Sequence, residues 1–236
     1  MTLYLSRLTL SRAPAVDVLK SLLDPQHQGR AMDAHHRLIW SAFAGDPAAS
    51  RDFLWRAEGD GVFFTLSSRP PADSPFFARC EVKEFAPALA AGDRLEFILR
   101  ANATRTRKTA ELSTGGKEKR KHDDVVMNAI HAVPKDGRAE VRMQAAQTAG
   151  AEWLAGQGER GGFGVDKVDV ADYSVVALPE YRGPRARQPQ FGVIEMTGTI
   201  KVTDPVVLLA KLGQGFGRAK SFGHGLMMIR RARSVA

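Results

Sequence analysis

Two parts of this chain hold residues able to do chemistry. The first is M-D-A-H-H-R-L-I-W-S-A-F, which contains His35 and His36. An imidazole is the usual proton carrier near neutral pH. Adjacent histidines point to different sides of a helix, so spacing alone leaves open which is chemical and which is packed or solvent-facing. Asp33 lies three residues before His36, on the same helical face. Its carboxylate is placed to hold the imidazole and favour the charged form. The second part is L-G-Q-G-F-G-R-A-K-S-F-G-H-G-L, from Leu212 to Leu226. Glycine has no Cβ, so backbone N–H groups there can approach an anion closely. Arg218 and Lys220 add charge and Ser221 adds a donor. Gly215, Gly217, Arg218 and Ser221 are therefore read as phosphate contacts, against the alternative of a flexible C-terminal turn.

A further basic stretch, P-E-Y-R-G-P-R-A-R-Q-P, carries Arg182, Arg185 and Arg187 beside Tyr181. Arginine bridges phosphates or stacks on bases, which suits an RNA groove. A solubilising loop is the equal reading for any one of the three.

Other chemistry is excluded or disfavoured. The glycine-rich loop follows a helical segment, whereas phosphate-binding nucleotide motifs place the glycines between a strand and the helix that follows it. No Cys or His cluster has metal-ligand spacing, so neither metal nor cofactor is expected. The 34 Lys and Arg outnumber 26 Asp and Glu, giving a net charge of +8. A polyanion is the expected partner. The single cysteine, Cys80, rules out an internal disulfide and fits a reducing, cytoplasmic setting. No apolar run has the length of a membrane span, and the N-terminus lacks a signal-peptide core.

The elements that must position these groups follow from periodicity. Leu3 to Leu10 alternates as a strand. Pro14 to Gly29 reads as a loose connection, and Met32 to Phe43 as a helix ended by Gly45-Asp46-Pro47. Phe53 to Ala57 and Val62 to Leu66 flank a hairpin turn. Phe76 to Val82 reads as a strand, Ala86 to Ala91 as a short helical turn and Asp93 to Asn102 as another strand. That order is ferredoxin-like. The basic segment that follows reads as a linker or exposed hairpin, and Arg105 and Arg107 within it are candidate RNA contacts. Then come Val125 to His131 as a strand or helix start, Val141 to Gln157 as a helix, and two long strands, Phe163 to Leu178 and Gln190 to Val202. Asp204 caps a helix with Pro205 at its first position. The glycine loop and a last strand, Leu226 to Ile229, complete the plan. The expected fold is α+β: two tandem ferredoxin-like (RRM-like) domains, residues 1–102 and 123–236, joined by the basic segment 103–122, with a cleft between the two sheets.

In residue detail the chain resembles the CasE family, CRISPR repeat-RNA endoribonucleases of type I-E systems. The resembling pieces are Y-L-S-R-L at Tyr4, H-R-L-I-W at His36 with Phe43 after it, R-D-F-L-W-R at Arg51, L-R-A-N at Leu99 and the glycine-rich block at Gly213. They keep their order along the chain, and the last is the most specific. The resemblance implies metal-independent cleavage of precursor CRISPR RNA at the 3′ base of the repeat stem-loop. The ribose 2′-OH is the nucleophile, and the products are a 2′,3′-cyclic phosphate and a 5′-OH. It implies retention on the hairpin, with other Cascade subunits as partners. It also selects His36 over His35, because Trp40 lies four residues on. Family members commonly carry a tyrosine three residues before this histidine, where this chain has Asp33. A carboxylate is no weakly acidic donor at neutral pH. Either the tyrosine is dispensable or Lys220 or His224 stands in: His36 transfers the proton, as base or acid, and Lys220 with nearby loop N–H groups stabilises the charged phosphorane. The competing readings are a repeat-RNA-binding subunit without catalysis and an assembly scaffold.

Overall fold

The structure, a computed structural model, describes residues 2–17, 19–23, 25–44, 50–112, 118–178 and 189–232. The first sheet is built from β1 (Tyr4–Leu10), β2 (Phe53–Gly59), β3 (Val62–Ser67) and β4 (Phe77–Glu84), in the spatial order β2-β3-β1-β4. Between β1 and β2 run α1 (Pro14–Asp17), α2 (Lys20–Leu23) and α3 (Gln28–Ser41). The expected loose connection from Pro14 to Gly29 thus contains two helical turns and the start of α3.

The second sheet is β5 (Arg94–Ala101), β8 (Phe163–Ala177), β9 (Gln190–Val202) and β10 (Met227–Arg231), in the order β10-β5-β9-β8. Inserted after β5 are the hairpin β6 (Thr104–Leu112) and β7 (Glu118–Asp124), then α4 (Val125–Ala129) and α5 (Arg138–Glu159). The last helix, α6 (Pro205–Gln214), lies between β9 and β10. Both sheets are antiparallel throughout, with the fourth strand beside the first, as ferredoxin-like units require.

Two expectations change, and one open alternative is decided. The strand from Asp93 to Asn102 does not close the first unit but opens the second. Leu95, Phe97, Leu99 and Ala101 alternate inward onto a core with Ile194, Met196 and Ile200. The change of sheet therefore falls within residues 85–93, ahead of position 102. The segment Val125 to His131 is helical at its start, because the Asp124 carboxylate accepts the backbone N–H groups of Val126 and Met127, both at 3.0 Å. The expected turn at Ala86 to Ala91 is not helical. Pro87 drives the residue before it out of helical geometry, and the chain there must span from one sheet to the other. The basic segment takes the hairpin form of its two expected alternatives.

The run F-L-W-R in β2 is buried at every position, because the first sheet is covered on both faces. Phe53 and Trp55 join Leu8, Leu38, Ile39, Phe43 and Phe63 under α3. Leu54 turns the other way, onto Leu66 and Leu226, with Leu3, Leu5 and Met228 beside them. The second core locks the two units together. Arg56 is 2% exposed. It pairs with Glu58 of its own strand and reaches Glu195 of β9 at 3.9 Å. Arg100 of β5 donates to the same Glu195 at 3.2 Å and to the Ala57 carbonyl at 3.3 Å.

Candidate active site

The glycine-rich loop begins at the end of α6 and hooks around β2, an outer strand of the first sheet. Gly215, with φ 76°, sits on Leu54, where an added Cβ would stand 2.8 Å from the side-chain methyls. Gly223, with φ 80°, sits on Trp55, on the opposite face of the same strand, where a Cβ would stand 2.9 Å from the indole. Only a chain without side chains at both points passes the strand so closely. Gly217 is likewise pressed against the Asn102 carbonyl, and Gly225 against the Phe216 carbonyl. Several loop N–H groups are already engaged: Phe216 on Gly225, Arg218 on Asn102 and Gly225 on Arg100. Of the glycines expected to cradle phosphate, Gly215 packs on Leu54 with its N–H given to the Lys211 carbonyl, and Gly217 packs on the Asn102 carbonyl.

The hook carries a short 3-10 turn, Lys220–Phe222, to the α3 side of the first sheet. Ala219 precedes it at φ 52°, a left-handed conformation costing a non-glycine residue about 1–2 kcal/mol. The Trp55 indole donates to the Ser221 carbonyl at 3.3 Å, anchoring the turn to β2. Lys220 donates from Nζ to the Gln214 carbonyl at 2.7 Å, across the neck of the hook. Burial lowers the Lys220 pKa, and the nearby Arg51 guanidinium lowers it further.

His36 faces the same region from α3. Its ring lies 6.5 Å from Phe53 and 6.3 Å from Trp40, measured between centroids. The Trp40 indole donates to His36 Nε2 at 3.2 Å. An indole only donates, so Nε2 is an acceptor and the neutral ring carries its proton on Nδ1. Nδ1 is buried and has no hydrogen-bond partner. Burial lowers the His36 pKa, Arg51 and Arg37 add to the lowering, and Asp33 opposes it. The expected hold of Asp33 on the imidazole is overruled. Its carboxylate is tied to Arg37 at 2.8 Å, and burial outweighs its influence on His36. His35 turns the other way, with its ring edge-on to Phe63 at 4.9 Å and to Trp55 at 6.2 Å.

Arg51 is the group that sequence reading passed over. It was visible only as the first letter of R-D-F-L-W-R. The available signal was its period of two with Phe53 and Trp55, which puts it on the same face of the approach to β2. Asp52 turns away, accepting from Arg69 Nε at 2.8 Å and Ser68 Oγ at 3.1 Å. Burial lowers even the Arg51 pKa, and its Nη1 is buried without a partner.

The other expected contacts are spread more widely. Arg218 is exposed and donates from Nη1 to His122 Nε2 at 3.0 Å; His122 Nδ1 meets Thr106 Oγ1 at 2.8 Å. The glycine loop is thereby tied to the basic hairpin β6–β7. Arg105 and Arg107 are exposed on β6, and Arg107 pairs with Asp123 at 2.6 Å. Arg182, Arg185 and Arg187 lie outside the described residues. His224 is buried at the junction of the two units, against Phe191, with neither ring nitrogen bonded. Its electrostatic neighbours are Arg100 and Arg56. Among the described residues, no group of His, Cys, Asp and Glu is arranged to hold a metal ion, and no helix is long and apolar enough to cross a membrane.

The fold has known counterparts. A family model described as CRISPR associated protein matches residues 3–231. The CRISPR system Cascade subunit CasE of Escherichia coli (strain K12) is 25% identical over 234 residues, covering 96% of this chain and 98% of that protein. The CRISPR endoribonuclease Cse3 bound to a 19-nucleotide RNA superimposes with a TM-score of 0.65 at 22% identity, covering 97% of this chain and 99% of that one. Thermus thermophilus Cse3 bound to an RNA representing a pre-cleavage complex gives a TM-score of 0.64 at 23% identity, with 98% and 100% covered. Cas6e from Escherichia coli K-12 gives 0.58 at 20% identity, with 97% and 100% covered. At these identities the three structures establish a shared fold.

Proposed function

The chain belongs to the CRISPR associated protein family, and we propose that it is a CasE-type endoribonuclease that cuts precursor CRISPR RNA at the 3′ base of the repeat stem-loop. The observation that supports this reading is a charged neighbour shared by two groups from different units. His36 on α3 and Lys220 on the hooked loop both lie within electrostatic reach of Arg51. A phosphodiester entering there meets an imidazole, an ammonium and a guanidinium together.

The lowered His36 pKa favours the base role. The ring is neutral at pH 7, and its Nε2 lone pair is held only by a long indole bond. On RNA binding the ribose 2′-OH replaces the indole and gives its proton to Nε2. The 2′ oxygen attacks phosphorus, and the bond from phosphorus to the 5′ oxygen breaks. Lys220 supplies the proton to that leaving oxygen, a task helped by its lowered pKa. The products are a 2′,3′-cyclic phosphate and a 5′-OH, and solvent restores both side chains. No step draws on a metal ion. Arg218, Arg105 and Arg107 supply positive charge for the RNA backbone, as do Arg182, Arg185 and Arg187. Retention of the cut hairpin and docking to other Cascade subunits complete the reading.

Asp33, tied to Arg37 where relatives are expected to carry tyrosine, favours one alternative: a repeat-RNA-binding subunit without catalysis. Incubation of the protein with a labelled repeat hairpin in EDTA, followed by a denaturing gel, separates the two. A discrete cut ending in a cyclic phosphate, abolished by 2′-H at the cleavage site, supports the nuclease. A native-gel shift without cutting supports the binder.

A further inference from the structure

Resting on the reading above, we propose that Arg51 is a third catalytic group, its guanidinium binding the non-bridging oxygens of the scissile phosphate between His36 and Lys220. Three observations point there. The first is position. Arg51, Phe53 and Trp55 share a face, and the last two are the residues that touch the catalytic elements. Phe53 lies against His36 and Trp40, and Trp55 holds the Ser221 carbonyl beside Lys220. The second is an unmet donor. Nη1 is buried and unpartnered, and among the described residues no carboxylate stands at ion-pair distance from Arg51. A buried guanidinium N–H without an acceptor is a costly arrangement unless an anion completes it. The third is the crowding of like charge. Arg51 repels proton binding at both His36 and Lys220, so it is near each of them.

A phosphate answers all three. Its oxygens accept from Nη1, its charge offsets the mutual repulsion, and the added negative charge of the phosphorane strengthens both effects as bonds change. Arginine's fork suits this geometry better than a second lysine would. Such preorganised donors act more strongly on the transition state than on the ground state. Among the described residues, the charged groups facing the two titrating partners are few. His36 faces Asp33 and Arg37 from its own helix and Arg51 from the approach to β2. Lys220 faces Arg51, and Lys211 of α6 feels Lys220 in turn.

The test is a binding cycle on uncut RNA. A repeat hairpin carrying 2′-H at the cleavage site is made with either a phosphate or a neutral methylphosphonate at the scissile linkage. Dissociation constants are measured for wild type and Arg51→Gln. Wild type is expected to lose about tenfold or more in affinity on neutralisation of that one linkage. The variant is expected to bind both RNAs within about twofold of each other. Equal losses for the two proteins would overturn the contact while leaving hairpin recognition in place. A wild type that fails to bind the hairpin would overturn the contact and the functional reading together. Single-turnover cleavage adds a readout that a purely structural role would not move. Arg51→Gln should slow cutting by about a hundredfold or more and shift both limbs of the pH–rate profile to higher pH, because a positive charge has left both neighbours. Arg51→Lys should keep the limbs in place while still cutting slowly. Limbs unmoved in Arg51→Gln would place Arg51 away from the reacting groups.

Discussion

His224 is only 1% exposed, lies at the junction of the two units and has no partner for either ring nitrogen. Burial, then Arg100 and Arg56, push its pKa down from 6.5 to about 3. The folded protein therefore refuses a proton that the unfolded chain accepts. The sign follows: this histidine costs nothing above pH 6.5, and stability is lost as pH falls from 6.5 toward 3. At pH 5 the unfolded imidazole is protonated about thirtyfold over neutral, worth about 2 kcal/mol of lost stability. The loss rises to about 4 kcal/mol at pH 3 and levels off near about 5 kcal/mol below it. His36, also lowered, adds in the same direction. Carboxylates titrate there too, so a reference variant is needed. His224→Leu has similar volume, no charge and no unmet ring nitrogen. Urea unfolding of both proteins at pH 8 and pH 5 gives the comparison. Wild type should lose about 2 kcal/mol more than the variant across that interval. Parallel losses in the two proteins would refute the placement of a buried, neutral imidazole at the junction.

Other outcomes follow from the same geometry. His36→Ala should reduce single-turnover cleavage of the repeat hairpin by about a hundred- to ten-thousandfold, with the dissociation constant of the uncut hairpin nearly unchanged. Cleavage in wild type should stay flat from pH 8 down to about pH 6.5 and fall only below it, since the base has a lowered pKa; a rate already falling between pH 8 and pH 7 would contradict the base assignment. The alkaline limb should appear below 10.5, where Lys220 loses its proton early. Gly223→Val forces a side chain into Trp55 at φ 80°, so it should destabilise the protein by about 2–4 kcal/mol in denaturant unfolding and also displace Lys220 and slow cleavage.

Local rules made much of this fold readable. Asp204 and Pro205 announced α6 because a cap and a fixed φ act within a few residues, and the Asp204 carboxylate does accept from Val206 and Val207. Alternation in β1, β5 and β9 gave strands for the same reason. Sheet membership was not local. β5 follows β4 in the chain, but its inward residues fit the core made by β9 and α5, and no period in the sequence says which core a strand joins. The purpose of the glycines was hidden likewise. A glycine that frees backbone for an anion and one that lets the loop pass a strand have the same letter; only Leu54 and Trp55 on opposite faces of β2 distinguish them. Arg51 was missed because an arginine at the start of a strand is common, and its unmet Nη1 exists only in three dimensions.

The central claim is that an imidazole from one unit and an ammonium from the other work on the same phosphodiester. A double-mutant cycle tests it directly: single-turnover cleavage of one hairpin in EDTA by wild type, His36→Ala, Lys220→Ala and the double variant. Groups acting together on one step should give a double variant within about threefold of the slower single variant. Losses that multiply, or a Lys220→Ala enzyme as fast as wild type, would contradict the claim.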